Sequence, residues 1–143
     1  MNGLRAARSP DRTRWVFPIL SEEEGSRWTI RAMPGGAATR LPLVAKHIGS
    51  ASWLSDGRHI LLSASHQSAG DQSHHRALYL ANLATVTDAS APLAMTRVTF
   101  VTGDDNHAVL SPDGKWLAFV STRAEPTQTA HHVYVARWRP PAD

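Results

Sequence analysis

The 143-residue chain contains no cysteine. That absence excludes a disulfide framework, a thiolate zinc site and a cysteine nucleophile. Lysine is almost absent too: apart from Lys46 and Lys115, every basic side chain other than histidine is arginine. No run of like charge exceeds Glu22-Glu23-Glu24, and the arginines are scattered among acids. A nucleic-acid binder gathers its basic residues on one stripe, so no nucleic-acid partner is expected despite the formal charge of +3. Long apolar runs are also missing, which argues against membrane insertion through a helix. The opening segment MNGLRAARSPDRTRW lacks the apolar stretch of a secretory signal, so the sequence as it stands reads as cytoplasmic. No segment sustains a 3.6-residue apolar period, and almost no helix is expected.

The sequence has instead a phrase that recurs. SPDGKWLAFVSTR (Ser111 to Arg123) has a weaker copy in LSDGRHILLSAS (Leu54 to Ser65) and a more decayed one in SPDRTRWVFPI (Ser9 to Ile19). Each joins a turn-forming cluster to a short apolar run rich in β-branched and aromatic residues, the signature of a hairpin. In the turns, Pro112 fixes φ at the first corner, Asp113 bonds its own backbone onward, and Gly114 supplies a permissive φ. Asp56 and Gly57 work the same way. Asp11 has lost its glycine to Arg12, so that hairpin is expected to be looser or differently shaped. The turn aspartates Asp11, Asp56 and Asp113 lie 45 and 57 residues apart, near the period of β-propeller blades.

Strand by strand, each unit contains an inner strand, the turn, a second strand, a third with two distinct faces, and a fourth. The middle unit runs SASWL, HILLSAS, RALYLANL and MTRVTFV, and the last runs NHAVL, KWLAFVS and HHVYVARW. The first unit runs LRAAR, RWVFPIL, RWTIRAM and TRLPLVA. The expected fold is therefore all-β, one partial propeller over residues 1–143, with blade units at about 3–46, 47–102 and 103–139. The blades are four-stranded antiparallel sheets, and the last lacks its fourth strand.

These units resemble the TolB-type, WD40-like propeller repeat, whose hallmark is an inner strand, SPDG, a run like KWLAFVS and a strand like VYVA. The last unit matches closely, the second has Ser55 in place of proline, and the first keeps Ser9, Pro10, Asp11 and the aromatic run. The same repeat occurs in many bacterial proteins, in the propellers of prolyl-oligopeptidase-like peptidases and in polysaccharide lyases. The resemblance implies a non-catalytic module for protein–protein contact, and a periplasmic location if the chain is part of a TolB-like protein. It also allows the gating propeller of a serine hydrolase or, less well supported, a lyase-like propeller with a channel metal.

Three blades are too few for a ring, since propellers close with roughly four to eight. The missing neighbours are the remaining blades of a longer propeller, or a second copy that completes six blades, or nothing, leaving an open arc. Exposed apolar surface disfavours the open arc most, and a piece of a longer propeller is the favoured expectation.

The search for chemistry yields little. His74-His75 and His131-His132 are poor chelates, because neighbours on a strand point to opposite faces. No carboxylate completes a metal pattern around them, and no cofactor or metal is expected. Asp104-Asp105-Asn106 lacks calcium-loop spacing and reads as a tight turn after Gly103. No Gly-x-Ser-x-Gly is present, so no catalytic residue is assigned. His107, with Asp105 beside it, is the best candidate for contact with a ligand in the channel. The five tryptophans sit at strand positions and read as packing residues.

Overall fold

The computed structural model describes residues 6–19, 26–32, 38–45, 48–65, 76–85, 94–100, 103–123 and 130–139. They form eleven strands: β1 (Ala7–Arg8), β2 (Arg14–Ile19), β3 (Ser26–Ala32), β4 (Ala38–Ala45), β5 (Ile48–Trp53), β6 (His59–Ser65), β7 (Arg76–Asn82), β8 (Ala94–Arg97), β9 (Asp105–Leu110), β10 (Trp116–Ser121) and β11 (His132–Arg137). One 3₁₀ turn, Leu83–Thr85, follows β7, and no α-helix occurs among the described residues. The strands pair antiparallel in chain order into sheets β1–β4, β5–β8 and β9–β11. The third sheet has three strands where the others have four. Residues 66–75, 86–93 and 124–129, and with them His74 and His75, lie outside the described residues.

The core lies between the sheets, in two layers. Val16 of the first sheet meets Ile60, Leu62, Ala64, Tyr79 and Ala81 of the second. On the opposite face of the second sheet, Leu61, Leu78 and Leu80 meet Ala108, Leu117 and Phe119 of the third. The middle sheet is thus covered on both sides. This is why HILLSA and ALYLA read as nearly continuous apolar runs, as expected of strands buried on two faces. In the last unit, β10 alternates instead: Leu117, Phe119 and Ser121 are buried, while Trp116 is exposed and Ala118 and Val120 are half-buried. Its register against β11 places Val120 opposite Val133 and Ala118 opposite Val135.

All three hairpins share one turn. The residue before each turn accepts from the residue three ahead, as in Arg12 N–H to Ser9 O, Gly57 N–H to Leu54 O and Gly114 N–H to Ser111 O. Its own N–H donates to Arg14, His59 or Trp116, which closes the loop. The expectation that the first hairpin is looser is corrected. Arg12 adopts a φ of 64°, beside 68° for Gly57 and 72° for Gly114. The side-chain bonds of Asp11 to Ser9 Oγ (2.6 Å), Thr13 N (3.0 Å) and Thr13 Oγ1 (2.7 Å) hold Arg12 in the left-handed region that glycine would reach more easily.

These bonds also set acidities. The Ser9 hydroxyl first, then the Thr13 N–H and hydroxyl, hold the Asp11 carboxyl down at about 2. The Ser111 hydroxyl, followed by the Lys115 N–H, lowers Asp113. At Asp56 partial burial pushes upward, but the N–H groups of His59 and Arg58 and the His59 ring outweigh it, so the net direction is down. A carboxylate depressed in the folded state stabilises above its unfolded pKa of about 4 and loses that contribution as pH falls through its folded value. The melting temperature is therefore expected to drop between about pH 4 and pH 2. In a Ser9→Ala/Ser111→Ala protein, scanned by circular dichroism, that slope should be shallower; an unchanged slope would show that the turns do not carry the acid sensitivity.

Candidate functional site

The innermost strands of the three sheets, β1, β5 and β9, lie side by side and form one concave wall. A recess of about 360 Å³ opens on it, lined by Arg8, Pro10, Ser50, Ser52, Trp53, His107 and Val109 together with alanines. Among the described residues no carboxylate lines it. The Arg8 guanidinium lies 5.5 Å from the Trp15 ring centroid and is exposed at the mouth.

The wall is held by bonds that cross between sheets. The Trp53 indole N–H donates to Ala7 O (2.9 Å), and the Arg14 guanidinium stacks on the Trp53 ring at 4.8 Å while donating to Gly57 O (2.6 Å). From the third sheet, Asn106 Oδ1 accepts from Ser50 N (2.9 Å), and His107 N–H donates to Ser50 Oγ (2.8 Å). Gly49 permits this approach: a Cβ there would fall on Asn106 Oδ1, with Ser63 Oγ only 2.7 Å away.

The two residues singled out for ligand contact are separated by the structure. His107 is exposed in the recess wall, where β9 bulges; the register passes from Ala118–Val109 to Val120–Asn106. Its φ of 52° is unusual for a histidine in a strand. Asp105, two residues earlier on the strand, is 1% exposed and does not line the recess. Its Oδ1 accepts from Ser121 Oγ (2.5 Å), its Oδ2 from Arg123 Nη2 (3.1 Å), and its backbone carbonyl from Ser63 Oγ of the neighbouring sheet (2.6 Å). Asp104 ties the sheets together as well, accepting from Arg76 Nε (2.7 Å), Nη2 (2.5 Å) and N (3.1 Å). Its half-burial pushes its pKa up, and the Arg76 bonds and charge more than reverse that, so the net direction is down.

The turn residues Asp11, Asp56, Gly57, Pro112, Asp113 and Gly114 lie at the hairpins and not in the recess. His131 precedes β11 and His132 opens it, and both are exposed. Among the described residues no three histidine, aspartate or glutamate side chains converge as a metal site would require. Trp138 is half-buried against the core of the third sheet, and its backbone N–H donates to Lys115 O (2.7 Å). Sequence reasoning missed Ser50, Ser63 and Arg76, because their partners are 28 to 57 residues away in the chain.

No protein-family model matches the chain, and no curated protein matches it. Solved structures do. TolB from Acinetobacter baumannii superposes with a TM-score of 0.70 at 21% identity, covering 93% of this chain and 29% of that one. A protein assigned as TolB from Agrobacterium tumefaciens gives a TM-score of 0.70 at 17% identity, covering 96% and 47%. The β-propeller domain of the Trilobed protease from Pyrococcus furiosus gives 0.60 at 15%, covering 94% and 39%. This chain thus spans less than half the length of each. At such identities the likeness is one of fold: the chain has the TolB-like β-propeller fold, as three sheets of a ring that they do not close.

Proposed function

We propose that this chain is a non-catalytic propeller module that binds a protein partner at its concave inner wall. The observation that carries this reading is the recess itself, built by three successive inner strands and lined by Arg8, His107, two serines and Trp53, with no carboxylate among the described residues that line it. Such a lining suits an extended segment bearing an acidic side chain or a terminal carboxylate, which the guanidinium and the serine hydroxyls can receive. Peptide display on the purified chain tests it. Acidic extended peptides should be enriched, and binding should fall at least tenfold in Arg8→Glu and His107→Glu proteins. Equal recovery of acidic and basic peptides, or binding indifferent to both substitutions, would remove the recess from consideration.

A second reading is favoured by the likeness to the Trilobed protease domain: the propeller portion of a prolyl-oligopeptidase-like serine hydrolase. Under it, catalysis belongs to a separate domain, and this chain controls access. A Gly-x-Ser-x-Gly domain encoded in the same reading frame would support it.

A further inference from the structure

The middle sheet has a neighbour on either face, yet the inner edge of its first strand is open along part of its length. The ladders on both sides of β6 fix which backbone groups reach that edge. Leu54 N–H donates to His59 O (2.9 Å) and Leu83 N–H to Arg58 O (2.8 Å). In an antiparallel pair, bonded and non-bonded residue pairs alternate. Counted from Leu54 and His59, Ser52–Leu61 is a bonded pair, whereas Trp53–Ile60 and Ala51–Leu62 are not. Counting from Leu83 and Arg58 gives the same phase, because Ile60–Ala81 and Leu62–Tyr79 are then the bonded pairs on the far side of β6. The N–H and C=O groups of Ala51 and Trp53 therefore point away from β6, and both residues line the recess.

One residue earlier, the same strand is already met by a partner. Ser50 N–H donates to Asn106 Oδ1 (2.9 Å), so a side-chain oxygen from β9 stands in for the carbonyl of an adjoining strand. β5 is the end strand of its sheet, and beyond Ser50 no described residue bonds the main chain of Ala51 or Trp53 outside the pairing with β6. The two lie two residues apart, the interval at which one strand of a ladder offers its groups to the next. An open strand edge of this kind is a template for an added segment.

Charge selects the segment. Ser50 Oγ accepts from His107 N–H (2.8 Å), which leaves the hydroxyl proton free to donate. The His107 ring and the Arg8 guanidinium stand on the neighbouring inner strands to either side. The nearby carboxylates do not compete, since Asp104 is held by Arg76, and Asp105 by Arg123 and Ser121.

We infer that the recess takes its ligand by strand addition: an extended peptide pairs main chain to main chain with Ala51 and Trp53, and one acidic side chain beside that ladder is received by Ser50, His107 and Arg8. This mode rests on the recess being the binding surface proposed above, and it specifies how the partner is read. Main-chain bonds supply the affinity and a single side chain the selectivity, so the partner segment tolerates varied sequence but not an interrupted row of N–H groups.

Isothermal titration of the unmodified chain with a short, end-blocked peptide of alternating threonine and alanine, carrying one central glutamate, tests this mode. A series in which each peptide amide is N-methylated in turn removes one donor at a time. Strand addition predicts losses of about fivefold, the net worth of one main-chain hydrogen bond, at every second position and little change between them. On the protein, Ala51→Pro removes an N–H that β6 does not use. Circular dichroism should then be unchanged while binding falls by a comparable factor. Methylation that weakens binding evenly along the peptide, or nowhere, overturns strand addition and leaves the recess as the binding surface. Failure of both the glutamate peptide and its glutamine analogue to bind overturns the two together.

Discussion

Asp105→Ala should lower stability by about 3 kcal/mol, the lower end of the cost of deleting one member of a buried charged pair. The lower end applies because Arg123 keeps partial access to water and stacks over Phe119 at 4.8 Å and Tyr134 at 5.4 Å. The loss arises from what is left behind. Ser121 Oγ loses its acceptor, and the guanidinium that also donates to that hydroxyl (3.1 Å) is left without its counter-charge. Asp105→Asn is the discriminating control. It preserves the oxygen that Ser121 needs but presents no charge to Arg123, so it should fall between the alanine variant and the parent in urea midpoint. If both variants unfold where the parent does, the network contributes nothing.

Leu78→Ala is expected to cost about 3 kcal/mol, within the range for truncating a buried leucine. Leu78 is fully enclosed between the second and third sheets, and its backbone ladder does not depend on its side chain. Its carbonyl accepts from Val98 N (2.8 Å), and its N–H donates to Thr99 Oγ1 (3.0 Å). The informative comparison is Val133→Ala at the equivalent position one sheet later. In dilute protein that substitution should change stability by less than about 0.5 kcal/mol, as for exposed sites generally. Chemical denaturation of the pair measures what covering one sheet with another is worth. Equal effects at both positions would contradict the burial difference.

Most of the architecture was legible in the residues. HILLSAS became β6 without change, VYVAR falls within β11, and the three turns lie where the SPDG copies do. That success has a physical source: turn chemistry and two-faced alternation are local, and the sequence displays them directly. The fourth strand of the middle unit was read too long. It ends at Arg97 because the Thr99 hydroxyl takes over the next ladder position and Phe100 points outward. Arg12 misled for a related reason. Its own identity disfavours a positive φ, but the three bonds made by Asp11 decide the matter. The inner wall was the least legible part. Regular alternation would put Asp105 and His107 on one face; the bulge of β9 and the positive φ of His107 part them, and no spacing within β9 encodes that. Neighbouring residues with similar polarity were therefore grouped together, although one sits in the core and the other at the surface.

Gly49 carries a consequence for the shape of the whole ring. Sheets that fan around an axis are nearest at their inner strands, so the angle between successive sheets is set there. A side chain at position 49 would act as a wedge near the axis, pushing β9 away from β5 while the outer strands stayed in place. The fan would flatten, and more sheets would be needed to complete a circle. The curvature of the propeller thus depends, at this joint, on a residue whose side chain is a single hydrogen atom.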